Sequence, residues 1–426
     1  MPDALRYRWY IFWIFAIQYL LLFFHRVCTA VLAPELVAAF NISGTALGFL
    51  SAGYFYPYAL MQIPVGMLSD SFGPRKTATV FGALGAFGSI LFGLSPYFGF
   101  AIFSRVLIGF GVSAVFVPAM TVYAQWFKGK EYARISGLLV AIGGIGWLAG
   151  AAPLAFITQV FDWRTVFVFI GVLALVLTGV TWLVVADSPD KKGFSSVAEP
   201  GVVRASSAGV WRGLAMLWKE KYFWALAPWY FMRTGVLFAF AGLWAGPYLM
   251  DVHKLSKLAT GNLLSIVPIA IIVGSPFLGY LSDKVFVSRK VILVGSSILH
   301  SACWIVLLLY LETISIGSLC VILFLIGIGS GSPGSVGFAN VKEVFPSSMA
   351  GTAIGAANTF AFLGGVVLQP LIGYVLDLTG RVEGAYPASA YRTAFWVFFG
   401  ASVVALVSVL FSKETIGREK TVLGSR

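Results

Sequence analysis

The chain has 426 residues, 59% of them hydrophobic and only 11% charged, with a formal net charge of +12. A soluble domain carries about a quarter charged residues, so water is excluded as the solvent for most of this surface. The positive excess does not indicate nucleic acid, because the basic residues stand in short clusters between long apolar runs, the pattern by which membrane proteins fix their orientation.

A helix needs about 20 largely apolar residues to cross a bilayer. That ruler finds twelve spans, near residues 9–33, 45–68, 77–95, 98–125, 134–158, 164–186, 222–250, 258–282, 290–310, 316–340, 348–376 and 392–411. The first begins on Arg6 and Arg8 and resembles a secretion signal, but Arg26 interrupts it and no small-x-small cleavage site follows closely, so it counts as a span. Cys28, Cys303 and Cys320 all fall in apolar runs and read as packing residues. The polar stretch 187–220, with Asp187, Asp190, Lys191, Lys192, Ser195, Ser196 and Arg204, parts the spans six and six. The expected fold class is an all-α integral membrane protein with twelve transmembrane helices. Its expected domains are a six-helix bundle over 1–190, a cytoplasmic linker over 191–220, and a second six-helix bundle with a short tail over 221–426.

The two halves repeat. Gly66-Met-Leu-Ser-Asp70 after the second span recurs as Gly279-Tyr-Leu-Ser-Asp283 after the eighth, at an offset of 213. Leu107-Ile-Gly109-Phe-Gly111 recurs as Leu325-Ile-Gly327-Ile-Gly329 at an offset of 218, and Trp163-Arg164-Thr165 matches Tyr391-Arg392-Thr393 at 228. Three matches in order mark a tandem repeat, an architecture common among secondary transporters. Of the 29 lysines and arginines, 21 fall on the side of the termini and five on the other. That asymmetry places both termini in the cytoplasm; the expected location is a bacterial inner membrane.

The three remaining basic residues, Arg26, Arg105 and Arg233, lie inside spans one, four and seven. Each arginine at a helix centre costs about 2.5–3.5 kcal/mol to insert. No carboxylate sits mid-span to compensate: Asp70, Asp283, Glu343 and Asp377 are near helix ends, and Glu35 is at the outer end of span one. Uncompensated positive charge points to an anionic substrate, and the planar guanidinium fork suits carboxylate or phosphate oxygens. Tyr54, Tyr58 and Gln62 recur at i, i+4 and i+8, Gln18, Arg26 and Thr29 share a face, and Asn358 stands three turns before Gln369. Facing lipid, such groups would leave donors unsatisfied, so they line a cavity or bond between helices. His25 and Glu35 are candidates for proton coupling, although a charged His25 is disfavoured beside Arg26. Structural readings stand beside the functional ones, an inter-helix role for Arg105 and snorkelling for Arg233. No metal-ligand spacing or nucleophile motif occurs, so neither a metal, a cofactor nor an enzyme is expected.

Gly66-Met-Leu-Ser-Asp70-Ser-Phe-Gly73-Pro-Arg75-Lys76 resembles the loop 2–3 signature of the major facilitator superfamily. The second copy keeps Gly279, Asp283, Arg289 and Lys290 without the middle glycine, and Arg105-Val-Leu-Ile-Gly109-Phe-Gly111 resembles the family's fourth-helix signature. The resemblance implies a two-bundle alternating-access carrier in which Gly66, Asp70, Arg75, Asp283 and Arg289 form an inner-face charge latch. Arg26, eight positions before Pro34, is similar to the substrate-binding first-helix arginine of the organic-anion branches, the anion:cation symporters and the organophosphate:phosphate antiporters. Aligning Pro34 with Pro247 pairs Arg26 with Ala239 rather than Arg233, a departure from the paired arginines of the organophosphate branch. The resulting expectation is a monomeric secondary transporter for a small organic anion (carboxylate, sugar acid or phosphate ester), moved with a proton or against a counter-anion. Arg26, Arg233, Arg105, Tyr54, Tyr58 and Asn358 are its expected substrate contacts. The alternatives are a multidrug or siderophore-type exporter, which favours an acid buried in the early helices, and a transporter-like membrane sensor, which needs a partner.

Overall fold

In lipid a chain segment satisfies its own N–H and C=O groups by forming a helix, and runs this apolar leave no other route. The computed structural model of the chain describes residues 2–194, 216–345 and 350–416. Most of the expected linker, with Ser195, Ser196 and Arg204, lies outside them. Twelve long helices follow in order: α1 (Pro2–Phe40), α2 (44–72), α3 (Pro74–Gly93), α4 (Phe98–Trp126), α5 (129–157), α6 (Trp163–Val184), α7 (221–251), α8 (Lys257–Val285), α9 (Arg289–Leu309), α10 (Ile316–Val344), α11 (Ala350–Thr379) and α12 (Ala388–Leu410). Each falls on one of the twelve expected spans. Ten are long and apolar enough to cross a membrane unaided; α2 and α7 are the exceptions. The α2 run breaks between Ala52 and Phe55 and again at Met61, and α7 carries a π turn over Phe240–Trp244. Large apolar side chains such as Phe103, Val140, Phe169, Leu183 and Val321 are exposed on the outside, while Gln18, Arg26, Arg105 and Arg233 are buried. That is the inverse of a soluble protein and suits a lipid solvent.

The described starts of α1 and α7 and the end of α12 lie at one end of the barrel of helices, called here the terminal face; the other end is the far face. Helices α1–α6 and α7–α12 form the two halves, and they meet along α1 with α7, α2 with α11 and α5 with α8. The seam between them is uneven. Near the far face, a Cβ placed on Gly48 would lie 2.5 Å from the Pro370 Cα, one on Gly373 2.3 Å from the Gly44 carbonyl, and one on Gly246 1.9 Å from the Ala30 carbonyl. Only glycine lets the two backbones approach so closely. The Ala30 carbonyl is available for this contact because Pro34, four residues on, has no N–H to donate to it. Helix α1 continues through Pro34 to Phe40 instead of ending near residue 33.

Toward the terminal face the halves diverge. Asn358 Nδ2 still donates to Gln62 Oε1 across the seam at 3.2 Å. One turn further on each helix, Gly66 and Gly355 would present a Cβ to open space. Among the described residues, the seam is tight at the far face and looser toward the termini.

Candidate substrate site

Arg26 stands on the seam, midway along α1. Phe23, one turn earlier, shares its helix face. The Arg26 guanidinium carbon lies 4.3 Å from the Phe23 ring centre, 5.1 Å from Tyr58 of α2, 5.5 Å from Phe238 of α7 and 4.8 Å from Phe362 of α11. Two rings come from each half. Phe238 and Phe362 are stacked at 5.6 Å, and Tyr58 meets Phe362 edge-on at 4.5 Å. Arg26 is 4% exposed, its Nε has no hydrogen-bond partner, and its ionisable neighbours are the phenols of Tyr19, Tyr54 and Tyr58. Among the described residues no carboxylate forms an ion pair with it.

A desolvated cation–π contact contributes up to about 2 kcal/mol, and an arginine in a helix centre costs about 2.5–3.5 kcal/mol. Four ring faces are thus enough to hold the charge without neutralising it. The Tyr54 hydroxyl lies within hydrogen-bonding range of the guanidinium and Nε has no partner, so an anion with two oxygens can meet the remaining demand.

The supporting groups follow from helix geometry. Tyr54 and Tyr58 stack at 6.0 Å, and the Tyr54 hydroxyl donates to the Leu22 carbonyl at 3.1 Å. Gln62 Nε2 donates to the Tyr58 carbonyl at 3.1 Å, so Asn358 and Gln62 lie on the terminal-face side of Arg26. On α7, the π turn leaves the Phe238 carbonyl for Gln369 Nε2 (3.0 Å), and the Gln369 carbonyl accepts Trp244 Nε1 (2.9 Å). A π turn holds one residue more than an α turn. The repeat offset of 213 at Pro247 is therefore 212 before the turn, and Arg26 pairs with Phe238, not with Ala239.

The other two arginines are not on the seam. Arg105 is fully buried within the first half, where Nη1 donates to the His25 carbonyl (2.9 Å), Nε to Leu50 (3.3 Å) and Nη2 to Ser51 (3.3 Å). It joins α4 to α1 and α2. Arg233 is 2% exposed within the second half, and its Nη2 donates to the Gly329 carbonyl of α10 at 2.7 Å. Its counterpart at offset 212 is Leu21, which lines a cavity of about 40 Å³ inside the first half together with Gln18, His25, Gly82 and Gly111. Both positions face the interior of their own bundle.

His25, one residue from Arg26, is turned about 100° around the helix. It packs on Phe167 at 5.6 Å inside the first half, away from the Arg26 cage. Glu35 is also remote from the cage, paired across the seam near the far face with Lys257. Neither lies where it would share a site with Arg26.

The loop signatures form networks at the terminal face. Arg289 pairs with Asp283 and, through Nε (3.3 Å) and Nη2 (2.9 Å), with Glu343 of α10. Glu414, after α12, accepts the Arg289 and Lys290 backbone N–H groups at 3.0 and 3.2 Å, capping α9. Asp187, after α6, accepts the Arg75 N–H at 2.8 Å, and Arg75 lies over the Trp182 ring at 4.5 Å. These two carboxylates stand 227 residues apart, in step with the repeat, and sequence reading missed both. Burial pushes the Glu414 carboxyl up, but hydrogen bonds from Ser288 and from the Ile416, Arg289 and Thr415 N–H groups hold it below the usual range. The contacts of Arg75 and Arg289 stay within their own halves, in keeping with a terminal face that is open.

The sequence pattern of the Major Facilitator Superfamily matches residues 15–256 and again 230–424. The chain belongs to this family. The two matches overlap over 230–256 and together cover nearly the whole chain. Among curated relatives, the chain is 27% identical over 416 residues to the "Uncharacterized transporter YybO" of Bacillus subtilis, covering 92% of this chain and 93% of that protein. It is 23% identical over 427 residues to the "Probable galactarate/D-glucarate transporter GudP" of the same organism, covering 94% and 90%. Among solved structures, the crystal structure of a D-xylose-proton symporter superposes with a TM-score of 0.78 at 16% identity, covering 97% of this chain and 99% of that one. Its relatives and fold neighbours are transporters, not enzymes, and this chain is a multi-pass membrane transporter of the same family.

The site also contains residues that sequence reading passed over. Phe23, Phe238 and Phe362 were indistinguishable from other aromatics in a chain with 37 phenylalanines. The one available signal was the repeat, which sets Phe238 opposite Arg26 once the π turn is counted.

Proposed function

We propose that this protein is a secondary active transporter of a small organic anion, with sugar acids as the first class to test. It works by alternating access, and its terminal face lies in the cytoplasm. The observation that carries the reading is Arg26, a buried guanidinium on the seam between the halves, caged by rings from both and, among the described residues, paired with no carboxylate. A carboxylate binding there replaces weak ring contacts with charge-assisted hydrogen bonds, and it touches both halves at once. The galactarate/D-glucarate assignment of a relative 23% identical supports the sugar-acid class. The count of 21 basic residues toward the termini against five away supports the orientation.

Arg26 is the anion anchor in this scheme. Tyr54, Tyr58 and Asn358 are the polar wall on the open side, while Arg105 and Arg233 act through the architecture of their bundles. Gly66, Asp70 and Arg75, with Asp283 and Arg289, take part in the inner latch when the terminal face closes. The experiment is a thermal-shift screen of the purified carrier against sugar acids, simple carboxylates, phosphate esters and neutral sugars. A ligand at about 100 times its Kd stabilises by about 2.7 kcal/mol. The expected result is stabilisation by sugar acids and none by the matching neutral sugars. Stabilisation by organic cations alone would bring the exporter reading forward.

A further inference from the structure

The first segment of α2 begins at Gly44, and its opening N–H groups are satisfied from two places. Ser43 Oγ accepts the Ala46 N–H at 3.2 Å, as an ordinary N-cap does. The N–H groups of Gly44 and Thr45 instead donate to Asp377, at 2.8 and 2.7 Å. Asp377 is in the last turn of α11 and belongs to the other half, 332 residues from Thr45. The Thr45 hydroxyl also donates to this carboxylate, as does the Tyr386 hydroxyl, whose oxygen in turn accepts the Gly44 N–H at 3.0 Å. Burial, followed by the bond to Asp377, pushes the Tyr386 hydroxyl up to about 12, so at neutral pH it is a donor.

A carboxylate at the positive end of a helix is a favourable placement, and here the helix and the carboxylate lie in different halves. Just below, Gly48 against Pro370 and Gly373 against Gly44 leave no space for water or a side chain. The corresponding seam between α5 and α8 is closed differently. There Gly261 packs on Ala151, Ala152 and Ala155, and no carboxylate takes part among the described residues. Elsewhere on the far face the ion pair of Glu35 with Lys257 also crosses between the halves, but the carboxylate that caps a helix of the other half is at the α2–α11 seam.

We propose that Asp377 is the far-face gate residue of the transport cycle: a carboxylate of one half that caps a helix of the other and sets how often the far face opens. This rests on the alternating-access reading. Opening breaks the bonds from Gly44 and Thr45 to Asp377 and Tyr386 together and returns those groups to water, while the Tyr386–Asp377 bond stays within the second half, so the gate is firm but reversible. A net charge-assisted hydrogen bond changes such an equilibrium by about tenfold or more.

The test is a distance measurement between spin labels on the far face of the full-length carrier, at Val160→Cys and Leu309→Cys, with Cys28, Cys303 and Cys320 replaced by alanine and no substrate present. The expected result for Asp377→Asn is an increase of about tenfold or more in the long-distance population, partly reversed by Asp377→Glu. Thr45→Val, which removes one of the carboxylate's donors, should shift the same population less and in the same direction. If Asp377→Asn does not purify folded, Thr45→Val combined with Tyr386→Phe strips two partners while leaving the charge, and a rise in the long-distance population supports the gate. A wild type with two distances whose proportions these variants leave unchanged overturns the gate alone. A wild type with a single distance, with or without a sugar acid that binds, overturns the alternating-access reading and the gate with it.

Discussion

Two buried arginines, Arg105 and Arg26, have opposite characters in this molecule. The Arg105 guanidinium donates to three backbone carbonyls on α1 and α2, and its whole fork is used in joining helices. The Arg26 guanidinium is held by ring faces and has Nε unpartnered. The difference makes a prediction about the conservative change. Arg105→Lys keeps the charge but reaches about one of the three carbonyls, and each lost charge-assisted bond is worth about 1.5–3 kcal/mol. A lowered Tm is expected, with ligand affinity of the folded fraction within about threefold of wild type. Unchanged Tm with binding abolished would instead place Arg105 against the substrate. The sequence displayed both arginines as in-span charges of equal standing. Which one faces the seam depends on a rotation of each helix that no single-residue signal reports.

At the scale of elements, helix ends organise the molecule. Asp187 and Glu414, each following the last helix of its half, cap the third helix of that half and hold the basic loop signature beside it. The Glu414 carboxyl is held below the usual range, so its contribution is present above the unfolded value of about 4.3 and is lost as pH falls through the folded one. Glu414→Gln is therefore expected to lower Tm at neutral pH, and the gap to wild type should close below about pH 4. A gap that stays constant across that range would show that charge at this cap does not matter. The caps escaped sequence reading because Asp187 and Glu414 sit in polar stretches where a solvated carboxylate is the ordinary expectation. The helices they cap were visible from length and apolarity alone. The breaks in α2 and the π turn in α7 were not, because both depend on partners in the other half: Thr29 Oγ1 reaches the Gly242 carbonyl at 3.2 Å, and Phe55 packs on Phe238 at 5.0 Å.

For the molecule as a whole, twelve helices in two repeated halves were legible because lipid imposes a length and an apolarity on every span. The repeat was legible through three short motifs. The state of the seam was not. It is written in contacts such as Gly48 with Pro370 and Asp377 with Thr45, between residues more than 300 apart, and in the space around Gly66 and Gly355 among the described residues. Those contacts give a carrier closed at the far face, with a caged cation at the meeting of its halves. The most direct test is calorimetric titration of galactarate, and of its uncharged alcohol analogue galactitol, into the wild type, Arg26→Lys and Arg26→Ala. The account predicts that the wild type binds the dianion and not the alcohol. It further predicts that Arg26→Ala loses about 2–5 kcal/mol of binding while remaining folded, and that Arg26→Lys recovers only part of it, because a point donor replaces a fork. Galactarate binding that is as tight in Arg26→Ala as in the wild type would contradict it.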